Sequence, residues 1–269
     1  MLKDNYLPLS FSSLKAFARS PLQFIEYKEN KKEPTPAMLW GTLVHRALLE
    51  PEKYSRTVAV WEGGRRGTNA HKEFVAANEG KDIITATEAM DIRTLCHRVE
   101  AHPYAGAMLK QCTNFEMPFT IDQCGVPHRG IIDGLGSWFM LDLKTTQNVS
   151  HYSLQRNIYE LKYYIQAAIY QRAAALMGYD HEAYFIIAVE SSAPYHVQVV
   201  ELEPHYIARG HIEWERLLEQ WKRWDGSVKH SLNEEDEAGW QMDAPQWVPP
   251  LDIGTVSYTH LRAHETRFY

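Results

Sequence analysis

Residues 130–146, GIIDGLGSWFMLDLKTT, constrain the fold of this chain more than any other stretch. Two extended runs flank a glycine-rich link, which reads as two strands joined by a tight turn. The first strand is expected at 129–133 and the second at 138–144. Gly134 and Gly136 are expected in the turn, because glycine takes positive φ at no steric cost. On the second strand Asp142 and Lys144 stand two residues apart and share a face, while Leu141 and Leu143 share the other and can be buried. The hairpin can bring Asp133 beside Asp142, so that two carboxylates and an ammonium converge at a strand end. Hard oxygen ligands suit Mg²⁺ or Mn²⁺, and a lysine beside them can orient or deprotonate a water. An Asp-x-Lys strand is also common as a solvated face with a weak surface ion pair. The setting favours a site: the strand looks buried, a second Asp lies nine residues upstream, and a long helix with its own polar pair follows.

The rest of the chain supplies helices around this hairpin. Ser10 or Ser12 can cap a first helix running to about Tyr27, with Pro21 either kinking it or starting a second. A further helix is expected from 36 or 37 to Glu50, stopping before Pro51, and it contains His45. A lone helical histidine is most often half-buried and bonded to a backbone carbonyl. Residues 61–69, WEGGRRGTN, form a basic, glycine-rich loop. It reads either as a plain surface loop or as a phosphate contact through the guanidinium forks of Arg65 and Arg66. Helices are expected at 70–78, 86–101 and 104–111. Residues 114–121 alternate as a strand, with Glu116 on the face opposite Phe115, Met117 and Phe119. One long helix is expected over 152–177, stopped by Gly178, on which Gln166 and Tyr170 are four apart and share a face. Residues 182–189 form an apolar run typical of a central strand, 195–202 a further strand, and 204–224 an amphipathic helix.

With 45% hydrophobic and 12% aromatic residues in 269, the chain can bury a substantial core. No apolar run approaches the roughly 20 residues that span a bilayer, and the first residues hold no secretory signal, so a cytoplasmic location is expected. Cys96, Cys112 and Cys124 have neither zinc-ligand spacing nor the four thiolates of an iron–sulfur cluster. The net charge of −6 at first argues against a nucleic-acid partner. Residues 231–252 alone carry six acidic side chains and no Lys or Arg, so the remaining chain is neutral. Local basic groups at Lys15, Arg19, Lys28, Lys31 and Lys32, and at Arg65, Arg66 and Lys72, suit an enzyme that grips phosphates in a channel.

Asp133 followed by Asp142-Leu143-Lys144 resembles the core of the PD-(D/E)xK nuclease superfamily. The stretches GTLVHRALLEPEKY, RRGTNAHKEF, MLDLKTT and YYIQAAIY, the opening LSFSSLKAFARSPLQFIEYK and the closing PQWVPP together resemble the nuclease domain of the exonuclease VIII (RecE) family, over residues 7–250. Ile132 stands where the superfamily's name has proline. The resemblance implies an α/β fold: a restriction-endonuclease-like core with a mixed central sheet flanked by helices and a helical N-terminal portion, in a single domain over 1–253. It implies a divalent metal, Mg²⁺ or Mn²⁺, held by His45, Asp133, Asp142 and the carbonyl of Leu143. Lys144 would position or activate water, Gln166 would bond near the Asp142–Lys144 strand, Tyr170 would pack beside the DNA end, and Glu116 would be a further acidic candidate. It implies an ATP-independent 5′→3′ exonuclease acting on double-stranded DNA ends, a homo-oligomeric ring, and a single-strand annealing protein as partner. Two alternatives remain: a structure-specific or CRISPR-associated-type nuclease of the same superfamily, and a non-catalytic DNA-binding or assembly module. Residues 254–269 resemble translated sequencing-adapter read-through, so a non-native tail is expected there, and no metal role is given to His260 and His264.

Overall fold

Reciprocal caps set the first helices. In this computed structural model, which describes residues 2–30, 33–179 and 181–227, Ser10 caps helix α1 (Phe11–Phe17) by accepting from the Ser13 amide, and the Ser13 hydroxyl accepts from the Ser10 amide. Pro21 opens a second helix, α2 (Pro21–Glu29), in the first turn, where a missing N–H costs nothing, and Ser20 caps it. Helix α3 (Pro36–Leu49) follows, and a short α4 (Pro51–Thr57) continues beyond Glu50. The acidic run, the PQWVPP stretch and the tail at 254–269 lie outside the described residues.

A small parallel pair comes next, which the sequence does not announce. Strands β1 (Val58–Trp61) and β2 (Asp82–Thr85) pair in parallel across helix α5 (Asn69–Ala77). Helix α6 (Ala86–Ala101) begins at a capping box between Thr85 and Glu88, and α7 (Pro103–Gln111) leads into the main sheet.

That sheet is mixed, with strand order β3 (Asn114–Gln123), β4 (Val126–Leu135), β5 (Phe139–Thr146), β6 (Ala183–Glu190), β7 (Val197–Glu201). All neighbours are antiparallel except β5 and β6, whose parallel pairing is bridged by helices α8 (His151–Glu160) and α9 (Tyr163–Leu176). The β3–β4 hairpin turns at Cys124–Gly125, both at positive φ. Gly134 and Gly136 act differently from the expectation. Gly134 is inside β4, and neither glycine has positive φ. A Cβ on Gly134 would lie 2.8 Å from Leu141 Cγ, and one on Gly136 would strike the Phe139 ring at 2.3 Å. They are glycines because the hairpin's own side chains close over them.

The expected long helix over 152–177 is in fact two. Lys162 takes left-handed backbone (φ 57°, ψ 38°) between α8 and α9. The break is held from helix α10 (Pro204–Arg223), where Glu213 accepts from Tyr164 Oη at 2.7 Å and lies 3.6 Å from Lys162 Nζ. Gly210 lets α10 lie directly on α9, since a Cβ there would be 2.2 Å from the Tyr164 carbonyl.

Two cores sandwich the sheet. On one side Phe17, Phe24, Ile165, Ile169, Trp214 and Trp221 pack on Ile132, Met140 and Ile186. On the other, Val44, Leu95 and Val99 pack on Leu141, Leu143 and Ile187. Among the described residues no helix is long and apolar enough to cross a membrane.

Candidate active site

Strands β4 and β5 pair at only two positions, Gly134↔Leu141 and Leu135↔Met140, although β4 pairs with β3, and β5 with β6, much further along. Beyond Gly134 the two central strands diverge, and the site occupies the gap. Asp133 spans it: its Oδ2 accepts from the Leu143 amide at 2.7 Å. A side-chain carboxylate thus replaces the next rung of the ladder, and its second oxygen stays available.

Helix α3 brings in His45. Gly41, one turn earlier, permits the approach, since a Cβ there would lie 3.2 Å from Thr145 Oγ1 on β5. His45 Nε2 sits 2.7 Å from the Leu143 carbonyl. A carbonyl only accepts, so Nε2 carries the proton and Nδ1 faces the carboxylates: Asp133 Oδ2 at 3.6 Å and Glu116 Oε1 at 3.9 Å. Burial pulls the His45 pKa down, but the neighbouring Glu116 and Asp133 carboxylates outweigh it, and the net shift is upward.

Glu116 arrives by backbone strain. It lies in β3 between the pairs Phe115↔Gly134 and Met117↔Ile132, hence opposite Asp133, at φ 48°. A non-glycine residue held in that region costs of order 1–3 kcal/mol and often marks a functional position. The twist sends Phe115 to one core and Met117 to the other.

His45, Glu116 and Asp133 together offer three ligand atoms within 4.8 Å of one another. An imidazole nitrogen with two carboxylate oxygens is a donor set that fits Mg²⁺ or, with its nitrogen, Mn²⁺. Asp142, expected among these ligands, is engaged elsewhere. Its Oδ1 accepts from Gln166 Nε2 at 2.7 Å, and its Oδ2 pairs with Lys144 Nζ at 2.6 Å. Leu143's carbonyl faces His45.

Lys144 is held in its charged form. Burial disfavours the ammonium, yet Asp142 and Asp133 beside it outweigh that and raise its pKa. Burial likewise raises that of Asp142. The ring of Tyr163 lies under Lys144 Nζ at 4.9 Å, a cation–π contact made possible by the break at Lys162. Sequence patterning gave no sign of Tyr163, because that break has no glycine or proline to mark it. Held this way, Lys144 can orient water or neutralise developing charge.

Tyr170 is half-buried, edge-on to Phe119 at 5.3 Å, and reaches the same groove as Gln166. Arg65 and Arg66 are not brought to this place. Neither lines a cavity containing Asp133, and Arg66 is paired with Glu88, the capping residue of α6.

Two cavities flank the centre, of about 800 and 470 Å³. His45, Glu116 and Leu143 line the first, Asp142, Gln166 and Tyr170 line the second, and Asp133 and Lys144 line both.

A mixed α/β sheet with an Asp…Asp-x-Lys centre in its strand gap defines a PD-(D/E)xK-type domain. The chain belongs to the family described as PDDEXK-like domain of unknown function (DUF3799), which matches residues 10–235. It is similar in fold to a crystal structure from Eubacterium rectale named "Putative exonuclease", with TM-score 0.59 and 14% identity over 94% of this chain and 96% of that one. No curated protein matches the chain.

Proposed function

We propose that this protein is a divalent-metal-dependent exodeoxyribonuclease of the exonuclease VIII (RecE) type. In this reading it shortens linear double-stranded DNA from its ends, 5′→3′ and without ATP. The observation that carries the reading is the meeting of His45, Glu116 and Asp133 within 4.8 Å, beside an ammonium on the adjoining strand. The name of the Eubacterium rectale neighbour supports the exonuclease element.

His45, Glu116 and Asp133 would hold the metal, with Asp142 and the Leu143 carbonyl behind them. A divalent ion there would supply positive charge to the scissile phosphate and its leaving oxygen. The chain's own groups do the rest. Lys144 stays cationic and directs an N–H at the attacking water or a phosphate oxygen. Asp142, fixed by Gln166, aims Lys144. His45 keeps its Nε2 proton on Leu143 and leaves Nδ1 to the ligand set. A ring-shaped homo-oligomer, a cytoplasmic setting and an annealing partner for the single-stranded product complete the proposal.

The test is hydrolysis of linear and closed-circular duplex DNA with Mg²⁺ and no ATP. Loss of the linear form alone, abolished by Lys144→Ala, supports the exonuclease. Cutting of the circle favours the structure-specific nuclease, and binding without hydrolysis favours the assembly module.

A further inference from the structure

Helix α9 starts on a residue unsuited to the place. Lys162 holds left-handed backbone (φ 57°, ψ 38°), where the Cβ of an L-residue crowds the following carbonyl, and no side chain caps the helix it begins. The conformation is held from α10 instead. Glu213 is half-buried there and uses both its oxygens on the break. Its Oε2 accepts from Tyr164 Oη at 2.7 Å and faces Lys162 Nζ at 3.6 Å, while its Oε1 accepts from Arg209 Nε at 2.8 Å. Burial would raise the pKa of Glu213, but these three partners outweigh it and hold the carboxyl below its ordinary value. The Arg209 guanidinium in turn lies 5.6 Å from the centre of the Tyr159 ring, at the end of α8. Helix α10 therefore grips the chain on both sides of Lys162.

The residues that follow the break are the ones that hold Lys144. Tyr163 is the first residue of α9, and its ring lies under Lys144 Nζ at 4.9 Å. Gln166 comes one turn on. Its backbone N–H and that of Ile165 both donate to the Lys162 carbonyl, at 3.3 and 3.0 Å, and its side chain fixes Asp142 at 2.7 Å. Asp142 in turn pairs with Lys144 at 2.6 Å. The direction the chain takes at Lys162 thus sets both contacts. Glu213, Arg209 and Tyr164 line neither cavity that contains Lys144. Their route to it is the backbone at the break, not contact with a substrate.

We infer that Glu213 is a positioning residue for the active centre: by holding Lys162 in left-handed backbone it sets Tyr163 beneath Lys144 and Gln166 against Asp142. The inference rests on the nuclease reading for the work that Lys144 performs, whereas the geometry it assigns belongs to the protein without DNA or metal. Glycine adopts the backbone of Lys162 without strain, so a chain with glycine at 162 needs the clamp less. That separates positioning from a plain packing contact, which glycine at 162 would not replace.

The test takes two readouts on Glu213→Ala, Glu213→Gln, Lys162→Gly and the double variant Glu213→Ala with Lys162→Gly, with circular dichroism to confirm folding. The first is the proton resonance of the Lys144 ε-methylene in protein free of DNA and metal. The Tyr163 ring current shifts it upfield, and Tyr163→Leu confirms the source of the shift. The second is single-turnover hydrolysis of linear duplex DNA with Mg²⁺. Glu213→Ala should lose the upfield shift and slow hydrolysis about twofold to thirtyfold, the range for losing the ring contact, with DNA affinity unchanged. Glu213→Gln keeps an acceptor for Tyr164 and gives up the charge. It should lose less, and it carries the test if the alanine variant does not fold. The double variant should recover shift and rate together. A folded Glu213→Ala that keeps both overturns the inference, and so does a loss that Lys162→Gly leaves uncorrected. Loss of the shift in Glu213→Ala, with no hydrolysis by wild type, sinks the nuclease reading and supports the positioning role.

Discussion

Asp133 and Leu143 are joined by a 2.7 Å hydrogen bond from the Leu143 amide to Asp133 Oδ2, across the point where β4 and β5 part. The same residue presents its carbonyl, which accepts from His45 Nε2 at 2.7 Å. One backbone segment thus fixes both a carboxylate and an imidazole of the His45–Glu116–Asp133 cluster. Architecture and chemistry at Asp133 can be separated by substitution. Asp133→Asn keeps an acceptor for the amide and removes the charge, so it should melt close to wild type and be inactive. Asp133→Ala leaves a buried N–H without a partner, which costs about 1–3 kcal/mol. Melting curves and hydrolysis rates on both variants check this.

Tyr163 should act through Lys144. Tyr163→Phe keeps the ring beneath the ammonium and should retain most activity. Tyr163→Leu removes it and should lower kcat by about twofold to thirtyfold, since a cation–π contact contributes roughly 0.5–2 kcal/mol. KM for DNA should change little in either. Equal losses in Phe and Leu would contradict the ring's role.

Lys144 titrates above its ordinary range because Asp142 and Asp133 favour the ammonium. The pH–rate profile should therefore show no limb from a lysine losing its proton even as pH rises through the ordinary Lys value near 10.4. Lys144→Ala should lower the rate by about 10²–10³-fold, the magnitude typical of removing one charge-stabilising donor. Single-turnover rates across this pH range read both effects.

Much of this arrangement was legible before the structure. The Asp142–Lys144 spacing on a strand, a first-helix cap at one of the two serines Ser10 and Ser12, and the shared face of Gln166 and Tyr170 all follow from local periodicity and cap chemistry. What escaped depends on contacts distant in sequence. The break at Lys162 is held by Glu213, some fifty residues on, and no local signal marks it. Gly134 and Gly136 answer to side chains packed over them, not to turn backbone. The pair β1–β2 consists of strands of four residues each, too short for an alternation to register. Arg65 and Arg66, conspicuous in sequence, line neither cavity at the centre, because the fold carries their loop to another part of the surface.

His128 provides a pH-linked test of the core. It is fully buried, with Nδ1 donating to the Val126 carbonyl at 2.8 Å and Nε2 accepting from Trp214 Nε1 at 3.2 Å. Only the neutral Nδ1–H tautomer satisfies both. Burial lowers its pKa. The folded value is thus below the unfolded one of about 6.5, so the stability it contributes is complete above that value and is lost as pH falls through the folded pKa. Thermal melts from pH 7.5 to 5 should show a decline that His128→Gln lessens, and NMR should find the ring neutral at pH 6.

Gly210→Ala tests the α9–α10 contact. Its new Cβ would meet the Tyr164 carbonyl, and the strain should cost about 1–3 kcal/mol. Because Tyr164 adjoins Tyr163, activity should fall further than stability alone predicts at a temperature where the variant is folded.

The most direct measurement of the central claim is Mn²⁺ binding to the DNA-free protein, followed by electron paramagnetic resonance. Wild type should bind the ion, Asp133→Asn and Glu116→Gln should each weaken binding by tenfold or more, and His45→Ala should remove the nitrogen coupling from the signal. Binding that is indifferent to all three, but lost in Asp142→Asn, would show that the ion sits on the Gln166 side of the gap and would contradict the cluster assigned here.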